Sequence, residues 1–227
     1  MTPLGRRLIA ALLGVGLLAG ACGETTEPSA PATTFPPDFT AERCLVRLHG
    51  RSGRGAAPQH HDGWAELAPD ANEPYEGGGR VWIYDTPDAY AAARSAVTEV
   101  IDAAGCSRVV LHGFSNGAAF TGKLVCQGED FGGRLVGAVV DDPVPDDASP
   151  DCSPAAGVGV AVYWTGGLTE ATPGASCEDL GWTCAGGDEL LSIEAYAARL
   201  GAEVQESVHT RHEAYDDAPE LAAWLLP

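Results

Sequence analysis

The chain has 227 residues, 45% of them hydrophobic, and sets 13 basic against 32 acidic residues, a formal net charge of −19 at pH 7. That length suffices for one domain with a sizeable core. The acidity argues against nucleic acid and polyanionic substrates as partners, and is otherwise a solubility feature.

The chain opens "MTPLGRRLIAALLGVGLLAGAC". Two arginines, an apolar run short for a membrane span and small residues before Cys22 follow the plan of a secretory signal over residues 1–21. The "AGAC" at 19–22 resembles the lipobox of bacterial lipoproteins, in which the cysteine becomes the lipidated first residue. Ala19 stands where leucine is usual, and ordinary signal-peptidase cleavage is the alternative. The cysteine count fits the lipid, because seven is odd and removing Cys22 leaves six. Cys44, Cys106, Cys126, Cys152, Cys177 and Cys184 can form three bridges in an oxidising compartment. Loss of Arg6 and Arg7 with the signal leaves 11 basic residues facing the 32 acids. Residues 22–42, with "GETTEPSAPATTFPPDFTAE", are rich in Pro, Thr, Ser and Glu without apolar periodicity and predict a disordered tether.

From Cys44 strands and helices alternate. "CLVRLH" and "RVWIYD" predict the first two strands. "TPDAYAAARSAVTEVIDAAG" predicts a helix with Thr86 as N-cap, Pro87 in the first turn and Gly105 at the end. "SRVVLHGF" is the third strand, "NGAAFTGKLVC" the next helix, "RLVGAVVDD" and "GVGVAVYWTG" the fourth and fifth strands. "DELLSIEAYAARLG" predicts a helix, "AEVQESVH" a strand and "DAPELAAWLL" a closing helix. Alternation of this kind, with strands apolar almost throughout, predicts a mainly parallel sheet with helices on both faces.

"HGFSNGAAF" (112–120) sets Ser115 between two glycines at a strand-to-helix junction, the setting of a nucleophile elbow. The order strand, "HG", strand, helix, strand, Gly-x-Ser-x-Gly and a late His before a final helix resembles the α/β-hydrolase family over about residues 43–227. The resemblance implies a minimal α/β-hydrolase fold, without the usual first hairpin and without a lid domain. "GFSNGAAFTGKLVC" is also similar to the elbow of secreted polyhydroxybutyrate-depolymerase-like and feruloyl-esterase-like enzymes.

The family runs in chain order Ser, acid, His. The resemblance therefore implies Ser115 as nucleophile and a histidine near the C-terminus as base. "ESVHTRHEAYDDAPEL" offers two. His209 falls at a strand end, whereas His212 falls in the loop that follows, as the family's histidine does. The acid has three candidates. Thr169 occupies the family's commonest acid position and Glu170 stands one residue late. One strand earlier, "AVVDDPVPDD" carries an Asp-Pro resembling the acid loop of chlorophyllases and some lipases, which implies Asp142, with Asp141 as its neighbour. An oxyanion hole would use the backbone N–H groups of Asn116 and of Arg51, with Ser52 next, in "LHGRSGRG". His49 and His112 are expected to make structural hydrogen bonds. "QHHDGW" (59–64) offers residues for a pocket mouth or a Trp64 that covers the core, and its histidines have no specific metal spacing. The implied fold also pairs Cys44 with Cys106, Cys126 with Cys152, and Cys177 with Cys184.

These features imply a lipid-anchored, extracytoplasmic serine hydrolase that cleaves small or medium carboxylic esters without a cofactor or metal. Its partners would be an ester substrate and the membrane that holds its anchor. The alternatives are an inactive envelope binding protein on the same fold, and an amide or thioester hydrolase.

Overall fold

The computed structural model describes residues 40–146, 151–165 and 190–226. The signal, most of the tether, Cys22, Thr169, Glu170, Cys177 and Cys184 lie outside the described residues. Within them the strands are β1 (Arg43–Leu48), β2 (Ala56–His61), β3 (Trp64–Ala68), β4 (Glu73–Pro74), β5 (Arg80–Val81), β6 (Arg108–Phe114), β7 (Leu135–Asp141), β8 (Gly159–Trp164) and β9 (Val204–Glu206). The helices are α1 (Pro87–Ala103), α2 (Asn116–Cys126), α3 (Ile193–Arg199) and α4 (Pro219–Leu225).

Seven strands form one sheet in the order β2-β3-β1-β6-β7-β8-β9, and β4 pairs with β5 apart from it. All neighbours run parallel except the edge pair β2 and β3. The chain leaves β1 toward one edge and returns to build β6 on its other side. That reversal opens a crevice at the C-terminal ends of β1 and β6, where open α/β sheets bind ligands. Gly50 follows one of these strands and Ser115 the other.

Strand alternation separates two cores. Val46, Leu48, Val109, Leu111, Ala138, Val140 and Val162 face α1, α2 and α3, with Phe120 and Ile101 fully buried among them. Leu45, Val110, Val139 and Ala161 face the other way, onto Leu221 and Leu225 of α4. Helices thus cover both faces, as the sequence predicts. Gly137 and Gly159 pair across β7 and β8 and leave the space that Trp224 of α4 fills. A Cβ at Gly159 would lie 2.7 Å from the indole. Arg108 Nε donates to Trp224 O at 2.8 Å, so α4 is seated at a fixed height below the histidine loop that precedes it.

Several predicted boundaries change. "RVWIYD" is buried and extended, but only Arg80 and Val81 pair, and not in the main sheet. The N–H groups of Trp82 and Ile83 donate to the side-chain oxygens of Asn116 (2.8 Å) and Asn72 (3.0 Å). Asparagine side chains therefore satisfy the backbone that a neighbouring strand would otherwise bond. The predicted second strand is replaced by the β2–β3 hairpin, closed by Asp62-Gly63 with Gly63 at φ 83°. Its Trp64 end pairs near Cys44 at the start of β1, the sheet edge opposite Ser115. "QHHDGW" accordingly does not line the mouth. His61 stacks on Trp64 at 3.9 Å, and Trp64 packs against the α4-side core. No hairpin precedes β1 among the described residues, and the antiparallel β2 takes the sheet edge instead. The predicted helix from Asp188 begins at Ile193, because Ser192 caps it by accepting from Ala195 N, while Leu190 bridges to Asp146. Thr86 caps α1 as predicted, accepting from Ala89 N.

Disulfides join Cys44 to Cys106 and Cys126 to Cys152. The first ties the starts of β1 and β6, since Arg43 pairs with Arg108 in the sheet.

Candidate active site

Ser115 sits between β6 and α2 with φ 55° and ψ −117°. Such a backbone is strained for a residue with a Cβ and is held by its surroundings. Ser115 N donates to Asp141 O (3.0 Å), and Ser115 O accepts from Ala119 N (3.0 Å). The flanking glycines are demanded by close approach. A Cβ at Gly117 would lie 2.7 Å from His49 O, and one at Gly113 would strike Gly117 and Thr121. The turn thereby lifts the Ser115 hydroxyl over the crevice, at the positive end of α2.

His212 comes from the loop between β9 and α4. Its Nε2 lies 3.0 Å from Ser115 Oγ and its Nδ1 lies 2.5 Å from Asp142 Oδ2. The Phe114 ring packs on the imidazole at 4.7 Å. Asp142 is fully buried with φ 52°, its N donating to Tyr163 O at 2.9 Å. A buried carboxylate persists only when hydrogen bonds replace its water. Here Thr165 supplies two of them, from its N–H (3.1 Å) to Oδ1 and its hydroxyl (2.7 Å) to Oδ2. Thr165 escaped the sequence reading. Its signal is its place as the first residue after β8, the strand paired with the one that ends in Asp141.

Of the two acid candidates among the described residues, Asp142 is the one that meets His212. Asp141 is equally buried but accepts from Tyr215 N and faces His112. Asp141 ends β7 with its carboxylate on the Tyr215 side, and the positive φ of Asp142 just beyond the strand turns its carboxylate toward His212, so the two aspartates serve different partners. His209 stands apart from Ser115, its Nδ1 2.8 Å from Glu213 and its ring edge-on to Tyr215.

The loop after β1 approaches the nucleophile closely. A Cβ on Gly50 would lie 3.2 Å from the Ser115 Cβ. Gly50 O accepts from Gly53 N (3.0 Å) and contacts His49 Nδ1 (2.8 Å). His49 Nε2 accepts from Ala71 N (3.3 Å), so the ring proton is on Nδ1 and that bond is a donation. A trans peptide directs its N–H opposite its C=O. With Gly50 O drawn toward the His49 ring, the Arg51 N–H faces the other way. Ser52 N is engaged by Arg80 O (3.0 Å), whereas Arg51 N has no backbone acceptor among the described residues. Asn116 is the first residue of α2, so its N–H has no acceptor one turn back. Its side chain grips the Trp82 backbone from both sides, accepting from N (2.8 Å) and donating to O (3.1 Å). Arg51 and Asn116 thus carry backbone N–H groups without a backbone acceptor among the described residues, on the two segments that meet at Ser115.

Burial lowers the His49 pKa below its ordinary 6.5, opposed by the bond to Gly50. A depressed imidazole contributes stability above its unfolded pKa and loses it as pH falls through that value toward the folded one. Wild-type unfolding temperature should therefore fall more steeply between pH 7 and pH 5 than that of His49→Asn. Equal slopes in thermal scans would refute the assignment.

Among the described residues, no group of three His, Cys, Asp or Glu side chains is arranged to hold a metal ion. No protein-family model and no curated protein matches the chain. Solved structures do. A carboxylesterase from Mesorhizobium loti is 19% identical, with TM-score 0.50, over 82% of this chain and 90% of that one. The Bacillus cereus carboxylesterase is 16% identical, with TM-score 0.50, over 83% of this chain and 89% of that one. The chain is similar to both in fold, which is that of the α/β-hydrolases.

Proposed function

We propose that this α/β-hydrolase-fold chain is a serine hydrolase of the carboxylesterase type. The observation that carries the reading is the continuous path Ser115 Oγ–His212 Nε2 and His212 Nδ1–Asp142 Oδ2, at 3.0 and 2.5 Å. Ser115 attacks the ester carbonyl while His212 takes its proton. The N–H groups of Arg51 and Asn116 hold the negative charge of the tetrahedral intermediate. His212, its Nδ1 side held by Asp142, then protonates the departing alcohol. Water enters by the same route in reverse and releases the acid. The same groups support amide or thioester hydrolysis, and the ester assignment follows the two carboxylesterases that share the fold.

The experiment is fluorophosphonate labelling of the oxidised, folded chain with peptide mapping. A single adduct on Ser115 is expected, and folded protein that takes no label would overturn the reading.

The protein works, in this proposal, outside the cytoplasm on a lipid anchor at Cys22. The two disulfides support an oxidising compartment. In the producing cell, Cys22→Ser should move the protein from the membrane fraction to the soluble fraction. A variant that stays in the membrane fraction like the wild type would remove the anchor from the account.

A further inference from the structure

Four adjacent parallel strands each place one polar side chain near the C-terminal end of the α4-facing surface: Arg47 on β1, His112 on β6, Asp141 on β7 and Tyr163 on β8. Each stands two residues beyond an apolar member of that core, Leu45, Val110, Val139 and Ala161. Arg47 pairs with His112, and Asp141 with Tyr163, in the sheet register. A polar row inside an otherwise apolar sheet is costly unless its groups are satisfied.

The bonds of this row run to the histidine loop. Arg47 Nη1 donates to Asp216 Oδ1 (2.7 Å) and Nη2 to Asp216 O (3.4 Å), while Nε is paired with Glu66 of β3 (2.9 Å). Arg47 Nη1 also donates to His112 Nδ1 (2.6 Å). An arginine only donates, so the His112 proton is on Nε2, which faces Asp141 Oδ2 at 3.4 Å. That same oxygen accepts from Tyr215 N at 2.6 Å. Asp141 is fully buried, and its Oδ1 has no partner among the described residues. A buried carboxylate satisfied on one oxygen is a poor core residue, and its one strong tie is to the loop. Tyr163 completes the row with a 2.5 Å bond from its hydroxyl to Glu220 in the first turn of α4.

We propose that Arg47, His112 and Asp141 form a positioning clamp for His212, gripping the loop three and four residues beyond the imidazole. Asp142 orients the ring directly, and the clamp fixes the backbone from which the ring projects. The two aspartates thus divide the work. The proposal rests on the serine-hydrolase reading, since the clamp acts on its base.

Asp141→Ala removes the acceptor of Tyr215 N–H, Asp141→Asn keeps an amide oxygen for it, and Asp216→Ala removes the 2.7 Å Arg47–carboxylate bond at a side chain 68% exposed, leaving only the 3.4 Å bond to the backbone oxygen. Misplacing a base by a fraction of an ångström to an ångström costs up to about 100-fold. Asp141→Ala should lower kcat by about 10- to 100-fold with KM within about twofold, with Asp141→Asn between it and wild type. Asp216→Ala should lower kcat by about threefold or more at unchanged unfolding temperature. Hydrogen exchange of the Tyr215 amide, read by NMR, should quicken in Asp141→Ala.

Folded variants with wild-type kcat would overturn the clamp, even if their unfolding temperature dropped. If Asp141→Ala does not fold, Asp141→Asn and Asp216→Ala decide by the same criterion. If wild-type protein neither labels nor turns over esters, the enzyme reading fails separately. Tyr215 exchange then still tests the tie, and unchanged exchange in a folded Asp141 variant would overturn it.

Discussion

His212→Ala is expected to abolish fluorophosphonate labelling of Ser115 and to lower kcat by about 10⁴-fold or more, with KM little changed. A serine hydroxyl is a weak nucleophile at neutral pH, and among the described residues the imidazole at its oxygen is that of His212, with Nε2 at 3.0 Å. The other histidines among the described residues are committed elsewhere. His49 bridges Gly50 O and Ala71 N, His112 faces Arg47 and Asp141, His209 pairs with Glu213, and His60 and His61 lie at the end of β2 that pairs beside the start of β1, away from Ser115. None can take over. The ring packs on Phe114 and is 30% exposed in its side chain, so alanine removes a base without opening a core cavity. The unfolding temperature should hold within a few degrees. Labelling that survives in the folded variant would mean that a different group activates Ser115.

Asp142→Asn is expected to lower kcat by about 10³- to 10⁴-fold while leaving the geometry in place. The carboxylate accepts from His212 Nδ1 and from both donors of Thr165. An amide can keep the Thr165 N–H bond with its oxygen, but the nitrogen that replaces Oδ2 then presents N–H toward Nδ1 and toward the Thr165 hydroxyl, which can turn to accept it. That forces the imidazole proton onto Nε2, the nitrogen that must accept from Ser115. Steady-state kinetics against an activated ester, with circular dichroism to confirm folding, measures the loss. Asp141→Asn in the same assay should cost far less, because Asp141 acts on the loop and not on the ring. Equal losses for the two variants would defeat the division of roles between the aspartates.

Much of the scaffold was legible because it depends on local pattern. Thr86 before Pro87 marks the start of α1, and the apolar strands mark a sheet buried on both faces. The elbow was legible for a different reason. Gly113 and Gly117 are required by contacts with residues close in sequence and with the end of the neighbouring strand, so the motif carries its own geometry. The stretch at 80–85 misled because burial and β-propensity do not say what satisfies the backbone. Two asparagines, at 72 and 116, do so in place of a strand. The hairpin at 56–68 was missed because β2 is a largely exposed edge strand, without the apolar alternation that reveals a half-buried one.

The sequence by itself determined the alternation of strands and helices from α1 onward, the elbow around Ser115 and the late histidine loop, since each is written in neighbouring residues. Only the tertiary structure decided which aspartate meets His212 and what the other one does. Asp141 and Asp142 are identical in type and consecutive in the chain, and their partners lie about 70 residues away. What separates them is the alternation of side chains at the end of β7, together with the positive φ of Asp142, which turns its carboxylate toward the crevice. The same distance conceals the Arg47–His112–Asp141 row in the sequence. Its members sit in three separate apolar strands, and only the parallel sheet sets Arg47 beside His112 and Asp141 diagonally beyond it, two residues up the register, beneath the loop.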